Sequence, residues 1–212
     1  MARHIVLASA SPRRKELFKA LGLEFTVVNS GVEETNGGTE APERLAADLA
    51  VEKAEAVAGR MSDGLVLGAD TVVVVDHEIL GKPVDAADAR RMLRLLRDRW
   101  HRVITGIALL DIADARRAVR AVETRVRMAS YSDRELEEYV ASGEPLDKAG
   151  SYAIQELGGR LVEAVEGCYT NVVGLPVCEV ARLLRDFGVA PPAPTPVCRD
   201  ASGAPCPRLG KT

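Results

Sequence analysis

Two adjacent arginines, Arg13 and Arg14, follow a serine-bearing turn at a place where a helix is expected to begin. Ser11 is a good N-cap, and Pro12 suits the first helical position because its φ is already helical. The helix dipole is positive in this first turn, so a basic pair there costs about 0.3 kcal/mol or more. The backbone N–H groups, the hydroxyls of Ser9 and Ser11 and both guanidinium groups could together bind an anion such as phosphate. Solvated surface arginines without a role are the alternative.

Asp70 is the most informative acidic residue, because it interrupts the apolar run LVLGADTVVVV at residues 65–75. That composition is typical of a strand buried on both faces. A carboxylate in such a strand has a large desolvation cost unless it is paired, bound to a metal or placed at a cleft. The alternative is a strand that ends at Gly68, with Asp70 and Thr71 in a turn. Because β-branched residues resume at once, we favour the strand and a candidate general base or metal ligand at Asp70.

Three further charged residues could complete such a site. Glu33 lies in a Gly-rich loop, Lys53 on a predicted helix, and Lys82 between Gly81 and Pro83, whose restrained backbone gives it a defined place. A solvated loop acid and a surface lysine remain the alternatives for Glu33 and Lys53. Arginine and lysine suit a polyphosphate, and separated carboxylates suit a hard divalent cation such as Mg²⁺ or Mn²⁺. This set predicts metal-assisted attack of water on phosphorus, with an acid as the base.

The elements that must position these residues alternate between strands and helices. The predicted strands are residues 5–7, 25–28, 65–75, a short return strand ending near 81–83, 103–112, 116–128 and 161–165. The predicted helices are residues 12–21, 42–58, 86–99, 133–142 and 176–187, the fourth opened by a Ser132–Glu135 capping box. A short turn joins strands 103–112 and 116–128, which are therefore antiparallel. The pattern predicts an α/β fold with a mixed sheet.

Composition argues against several classes of protein. A net charge of −3 and 4% aromatic residues provide neither the basic field nor the stacking surfaces typical of nucleic-acid binding. Apolar runs fall short of membrane-spanning length, and SPRRKE cuts off the short apolar N-terminal stretch. We therefore expect a soluble cytoplasmic protein with no membrane or nucleic-acid partner. Four cysteines without a C-x-x-C pair and only three histidines argue against zinc and favour reduced thiols.

The domain organisation follows from length and from the proline distribution. A chain of 212 residues is long enough for one domain, or for two lobes that share a core. After residue 190 prolines become frequent and apolar periodicity stops, which is typical of a disordered tail. The sequence therefore predicts a folded domain at residues 1–189 and a proline-rich tail at residues 190–212.

Several ordered sequence blocks resemble a known family. They are LASASPRRKELF, the Glu33 loop, EKAEAVA, GADTVVVVD, ILGKPVDAADARRML, WHRVITGIAL, SGEPLDKAGSYAIQ and NVVGLPV. In order and spacing these blocks resemble the Maf family over residues 5–187. The resemblance implies a homodimeric nucleoside triphosphate pyrophosphatase for nucleotide house-cleaning, which cleaves between the α- and β-phosphates with a divalent metal. It also implies two α/β lobes around an elongated mixed sheet with a central cleft, as in inosine-triphosphate pyrophosphatases.

The resemblance also assigns expected roles to individual residues. Asp70 matches the family's proton acceptor, and Asp70 and Glu33 match its metal site. The expected substrate-binding residues are Ser9, Ser11, Arg13, Arg14, Lys53, Thr71, Lys82 and Gln155.

Gln155 indicates a branch within the family, because it resembles the glutamine of the branch that acts on dTTP and UTP. A carboxamide can meet the N3–H donor and the carbonyl acceptors of thymine or uracil with its own acceptor and donor. Glu156 departs from the family, which more often has glycine there. A pyrophosphatase for 7-methyl-GTP or another modified nucleotide is therefore an alternative. A non-catalytic regulator of septum formation is a second one, although a binding protein has no need of a buried base.

Overall fold

The protein is built on one sheet of seven strands, seen in a computed structural model that describes residues 3–32 and 41–192. The strands are β1 Ile5–Ala8, β2 Thr26–Val27, β3 Leu65–Val75, β4 Glu78–Leu80, β5 Trp100–Asp111, β6 Arg116–Met128 and β7 Val162–Glu166. The α-helices are α1 Pro12–Lys19, α2 Pro42–Ala58, α3 Ala86–Leu96, α4 Asp133–Ala141, α5 Tyr169–Val173 and α6 Val177–Asp186. Short 3₁₀ helices at Glu144–Asp147, Ala149–Ser151 and Leu157–Leu161 lie between α4 and β7.

The sheet contains both parallel and antiparallel pairs. Its strand order is β2-β1-β3-β5-β6-β7, with β4 beside β3. β1 runs parallel to β2 and β3, whereas β3, β4, β5, β6 and β7 pair antiparallel. The predicted α/β class with a mixed sheet is confirmed.

A gap along one edge of β3 divides the molecule into two lobes. β1 pairs with β3 from Leu65 to Gly68, and β4 pairs with the same edge from Val73 to Val75. Residues 69–72 lie between these two partners, while β5 pairs with them along the opposite edge. The gap leaves the middle of a buried strand open to a cleft between the lobes, as the two-lobe prediction requires.

The hydrophobic core follows the same division. On one face of the sheet, Leu65 and Leu67 pack with side chains of α1 and α6, whereas Val73 packs with side chains of α3 and α4. On the other face, α2 covers both parts of β3, contributing side chains to the clusters around Val66 and Val72. Because α2 packs against β3 in both lobes, contacts on both sides of the cleft hold the helix in place relative to β3.

Two glycines allow α2 to lie directly on the sheet. A Cβ atom at Gly68 would lie 2.1 Å from the carbonyl oxygen of Ala50, and one at Gly106 would lie 2.1 Å from the carbonyl oxygen of Ala46. Gly106 is also the β5 partner of Asp70. Any larger residue at either position must push the helix backbone away from β3.

We therefore expect Gly106→Ala to lower the free energy of unfolding by about 1–3 kcal/mol, the usual cost of overpacking a core. Urea unfolding followed by circular dichroism measures the change. Gly59→Ala is the matched control, because a Cβ there meets its nearest atom at an ordinary 3.5 Å and φ is −62°. Equal stability of the Gly106→Ala variant and the parent would contradict the close approach of α2.

Some predicted boundaries differ from the observed ones for local reasons. The helix predicted to reach residue 99 ends at Leu96, because Arg97 is extended (φ −51°, ψ 131°) and Asp98 has φ +55°. The strand predicted at residues 25–28 is reduced to Thr26–Val27 at the sheet edge. α5 and the 3₁₀ helices were not predicted, because each is too short to show a helical period. The Ser132–Glu135 capping box is confirmed.

Two regions named by the sequence analysis lie wholly or mainly outside the described residues. These are the loop that carries Glu33, of which residues 33–40 are not described, and the predicted tail at residues 190–212, which is described only as far as residue 192. At the start of the predicted tail, Pro191 is buried. Among the described helices, none combines the length and apolarity that crossing a membrane requires.

Candidate functional site

A cleft of about 670 Å³ lies over the gap in the edge of β3. Its walls are the β1–α1 turn, residues 29–32 after β2, the segment around Gly81, the 3₁₀ region at residues 147–155 and the end of α5. The predicted site residues that line it are Ser9, Ser11, Arg13, Arg14, Lys53, Asp70, Thr71, Lys82 and Gln155. Glu33, the remaining predicted residue, is not among the described ones. The structure thus brings these residues together, and their individual roles stay predictions.

Asp70 and Lys53 form a buried ion pair at the floor of the cleft. The Lys53 Nζ lies 2.5 Å from the Asp70 Oδ1, and the two side chains are 6% and 5% exposed. Lys53 reaches Asp70 because α2 approaches the sheet closely at Gly68 on β3 and at Gly106 on β5. β3 continues through Asp70 without a break, so the alternative of a turn is wrong. The alternative of a surface position for Lys53 is wrong as well.

Arg14 and Arg13 have different surroundings although they are adjacent. Arg14 is buried, and its Nε donates to the carbonyl oxygen of Gly174 (2.9 Å). One of its Nη atoms donates to the hydroxyl of Thr71 (3.0 Å), which is also hydrogen-bonded to the hydroxyl of Thr105. Arg14 therefore connects α1 with the end of α5 and with β3 at the cleft. Arg13 is a quarter exposed and lies on the cleft wall.

The serines of the β1–α1 turn order the start of α1. The Ser9 hydroxyl accepts a hydrogen bond from the backbone N–H of Ser11 (3.2 Å), and the Ser11 hydroxyl accepts one from the backbone N–H of Arg14 (3.4 Å). Each hydroxyl still has its own proton to donate. The predicted N-cap at Ser11 is confirmed, with Pro12 in the first turn.

Asp147 joins the two walls of the cleft. Its Oδ2 lies 3.6 Å from a guanidinium nitrogen of Arg13, and its Oδ1 accepts a hydrogen bond from the Lys148 Nζ (2.6 Å). Burial alone would raise the pKa of Asp147, but the hydrogen bond from Lys148 and the charges of Lys148 and Arg13 hold that pKa below its ordinary value. A carboxylate therefore lies beside the arginine that the sequence assigns to phosphate.

His101 and Tyr152 form a second buried pair near the cleft. The His101 Nε2 and the Tyr152 hydroxyl are 2.7 Å apart, and Tyr152 lines the cleft. Burial lowers the pKa of His101 from 6.5 to about 3, so its imidazole is neutral at physiological pH. Sequence reasoning missed this pair. The signal that could have found it is the single histidine in WHRVITGIAL, a strand whose residues are mostly apolar.

The lowered pKa of His101 predicts an acid-sensitive fold. Below about pH 6.5 His101 binds a proton in the unfolded state but not in the folded state. The stability that His101 contributes is therefore fully present above that pH and is lost as the pH falls toward 3. Between pH 7.5 and pH 5 this residue should remove about 2 kcal/mol from the free energy of unfolding. Urea unfolding at both pH values should show that His101→Gln reduces the pH dependence by this amount. His77→Gln changes a histidine in an exposed turn and should leave the pH dependence of the free energy of unfolding unchanged. Equal pH dependence in the parent and both variants would contradict the prediction.

The carboxylate oxygens in the cleft suit a hard divalent cation whose remaining ligands come from a substrate phosphate and water. Within residues 3–32 and 41–192, no group of three His, Cys, Asp or Glu side chains could hold a metal by itself. Mg²⁺ commonly needs only one or two carboxylates, because waters and substrate phosphates supply its other ligands. Asp70 fits this requirement, since a carboxylate has about four acceptor positions and Lys53 does not exhaust them.

The chain is similar to several known proteins. A protein of Pelotomaculum thermopropionicum named dTTP/UTP pyrophosphatase is 48% identical over 186 residues, covering 88% of this chain and 97% of that protein. Proteins of the same name from Acetivibrio thermocellus and Shewanella sp. are 49% and 50% identical, each covering 88% of this chain and 96% and 99% of their own lengths. Among solved structures, the Staphylococcus aureus Ham1 protein aligns with a TM-score of 0.43 and 18% identity, over 60% of this chain and 73% of that one.

The family comparison covers the whole sheet. The family model described as Maf-like protein matches residues 4–187, a range that includes all seven strands and every residue placed around the cleft. Because this match spans most of the chain and the relatives align over nearly their full lengths, the chain belongs to the Maf family.

Proposed function

We propose that this protein hydrolyses dTTP and UTP to the nucleoside monophosphate and pyrophosphate. The observation that supports this most directly is the buried Asp70–Lys53 pair at the floor of a cleft whose walls carry Arg13 and Lys82. Relatives at 46–50% identity that are named dTTP/UTP pyrophosphatase support the same reaction.

Asp70 acts in this proposal as the proton acceptor for water. The water oxygen forms a bond to the α-phosphorus while the bond from that phosphorus to the oxygen bridging the α- and β-phosphates breaks. The water proton passes to the Asp70 carboxylate, and pyrophosphate leaves with the bridging oxygen. Lys53 holds one carboxylate oxygen at 2.5 Å and so restricts the orientation of the other. General-base assistance of this kind contributes about 10²–10⁴-fold to a rate.

Cationic groups on both walls of the cleft would bind the triphosphate. Arg13 lies at the start of α1, where the backbone N–H groups and the helix dipole also favour an anion. Lys82 lies in the opposite lobe, after β4. A triphosphate between them would replace Asp147 as the anionic partner of Arg13. Guanidinium and ammonium groups aimed at phosphate oxygens also offset the charge that develops on the leaving pyrophosphate.

A divalent cation, Mg²⁺ or Mn²⁺, belongs to this proposal, with Asp70 as a ligand and Glu33 as the expected second one. When bound, it would neutralise phosphate charge and favour ionisation of water at neutral pH. The residues of this chain orient the substrate and accept the proton.

Gln155 is proposed to recognise the base. It is exposed at the tip of a loop that lines the cleft, where its amide can pair with the imide edge of uracil or thymine. Gln155→Glu removes the donor and places a charge against the base carbonyls. We expect this change to cost about 1–3 kcal/mol in kcat/KM for UTP and dTTP, the scale of an unsatisfied buried polar group.

Steady-state kinetics with UTP, dTTP, GTP and 7-methyl-GTP measure this effect. Guanine substrates should lose less than the pyrimidine substrates, or gain. Glu138→Gln, on the exposed surface of α4 and paired with Arg134, is the control and should leave the preference of the parent unchanged. Equal losses for all four substrates in Gln155→Glu would contradict base recognition by Gln155.

A panel of nucleoside triphosphates with Mg²⁺ or Mn²⁺ tests the proposed function as a whole. Pyrophosphate and a monophosphate should form from UTP and dTTP, and EDTA should abolish the reaction. Orthophosphate as the sole first product, or full activity in EDTA, would overturn the proposed reaction. A strong preference for 7-methyl-GTP would overturn the substrate assignment but not the reaction type.

The family resemblance also supports a homodimer, and a nucleotide substrate supports action in the cytoplasm. Size-exclusion chromatography with light scattering tests the dimer, for which a particle near twice the chain mass of 22.7 kDa is expected. A monomer at micromolar concentration would contradict it.

A further inference from the structure

The loop that carries Gln155 is attached on its C-terminal side to the carboxylate of Glu144. Glu144 begins the 3₁₀ helix Glu144–Asp147. Its Oε2 accepts a hydrogen bond from the backbone N–H of Leu157, and its Oε1 accepts one from the backbone N–H of Gly158, both at 3.1 Å. Bonds from N–H groups to an ionised carboxylate are about twice as strong as neutral ones. One side chain thus binds the two residues that close the loop.

Tyr139 attaches the same loop on its N-terminal side. Its hydroxyl donates to the Oε1 of Glu144 (3.0 Å) and accepts a hydrogen bond from the backbone N–H of Ala153 (3.2 Å). Gly158 lies directly against this hydroxyl, since a Cβ there would come within 2.5 Å of it. Tyr139 is buried on α4, so the attachment extends into the core of that lobe.

The exposed tip between these attachments contains Gln155 and Glu156. Ala153 precedes the tip, and Leu157 and Gly158 follow it. A short loop held at both ends has few backbone conformations left, so the direction of the Gln155 side chain depends on both attachments. The cationic groups assigned to the phosphates, Arg13 and Lys82, lie outside this loop, at the start of α1 and after β4.

We propose that Glu144, together with Tyr139, is a positioning residue that sets base selection by holding the Gln155 loop against the cleft. The inference rests on the proposed function, because it assigns Gln155 to the base. Glu144 touches neither the base nor the reacting phosphates and acts through the loop. Its loss should therefore weaken recognition of the base and leave binding of the phosphates unchanged.

Two conservative variants test the proposal in the full-length protein. Glu144→Gln keeps the shape but replaces one acceptor oxygen by an amide nitrogen that cannot accept, and Tyr139→Phe removes the hydroxyl that joins Glu144 to Ala153. Each should raise KM for UTP and dTTP roughly 10-fold, with kcat nearly unchanged, on the scale of an unsatisfied polar group. Preference among the bases should fall by a similar factor. The double variant should lose less than the product of the single losses, because both act on one loop.

The controls separate positioning from general damage. Inorganic tripolyphosphate carries no base, so its inhibition constant should be the same in the parent and in both variants. Glu138→Gln, on exposed α4 surface and paired with Arg134, should change none of these quantities. Parallel losses in kcat and in tripolyphosphate binding would overturn the proposal in favour of a purely structural role.

Amide hydrogen exchange tests the attachment without any substrate. The N–H groups of Leu157 and Gly158 should exchange roughly 10-fold faster in Glu144→Gln than in the parent, while the amides of β5 keep their protection. Unchanged exchange at both residues would overturn the proposal. A parent that does not hydrolyse UTP or dTTP would instead overturn the proposed function, and the exchange result would stand by itself.

Discussion

Asp70→Asn is expected to lower kcat for UTP by about 10²-fold or more, because an amide cannot accept the proton of the attacking water. The two side chains have nearly the same shape, and β5 continues to pair with the backbone of β3 at this position. KM should change much less than kcat, since binding of the triphosphate depends on the cationic walls of the cleft. Initial rates of pyrophosphate release at saturating UTP measure the effect.

Asp76→Asn is the matched control for this prediction. Asp76 lies at the far end of the same strand, in the exposed turn before β4, and pairs there with Arg99. Its φ is +51°, a conformation that asparagine also accepts readily. The control variant should keep the kcat of the parent. Normal turnover in Asp70→Asn would place the base elsewhere, and Glu33 is the next candidate.

Lys53→Met is expected to lower the free energy of unfolding by about 3–5 kcal/mol, the range for removing one partner of a buried ion pair. The variant leaves the Asp70 side chain, which is 5% exposed, without the ammonium group that lies 2.5 Å away in the parent. Urea unfolding at pH 7.5 measures the change. Lys19→Met removes the exposed partner of Glu16 and should cost less than 1 kcal/mol, roughly the upper value for a surface pair.

The double variant Lys53→Met with Asp70→Asn separates stability from catalysis. Because it leaves no full charge from this pair in the buried site, it should recover much of the stability that Lys53→Met loses. Turnover should remain as low as in Asp70→Asn, since the proton acceptor is still absent. Recovery of turnover, or a Lys53→Met variant as stable as the parent, would contradict the pairing as the structure shows it.

Secondary structure was predictable wherever its cause is local. Ser11 and Ser132 cap helices through their own side chains, and residues 65–75 form a strand because their apolar, β-branched composition suits burial on both faces. The 3₁₀ region between α4 and β7 was not predictable in this way. Its conformation depends on hydrogen bonds such as those from Leu157 and Gly158 to Glu144, which join residues 13 and 14 positions apart.

The composition of the candidate site was predictable, but the partners within it were not. Arg13 and Arg14 are chemically identical neighbours, and nothing local distinguishes them. Adjacent helical residues point about 100° apart, so once α1 packs on β3, one arginine is buried against Gly174 and Thr71 and the other stays on the cleft wall. That outcome depends on how the helix is docked.

The sequence by itself determined which residue types meet at the cleft: a carboxylate in an apolar strand, basic residues at a helix start and after a turn, and a carboxamide in a polar loop. Tertiary structure alone decided that Lys53 pairs with Asp70, and that β1 and β4 leave the middle of β3 uncovered. Both results depend on the register of strands that are distant in sequence and on how closely α2 approaches Gly68 and Gly106. Burial and ion pairing depend on contacts between residues that are far apart in the sequence. Local sequence therefore does not show which partners the fold brings together.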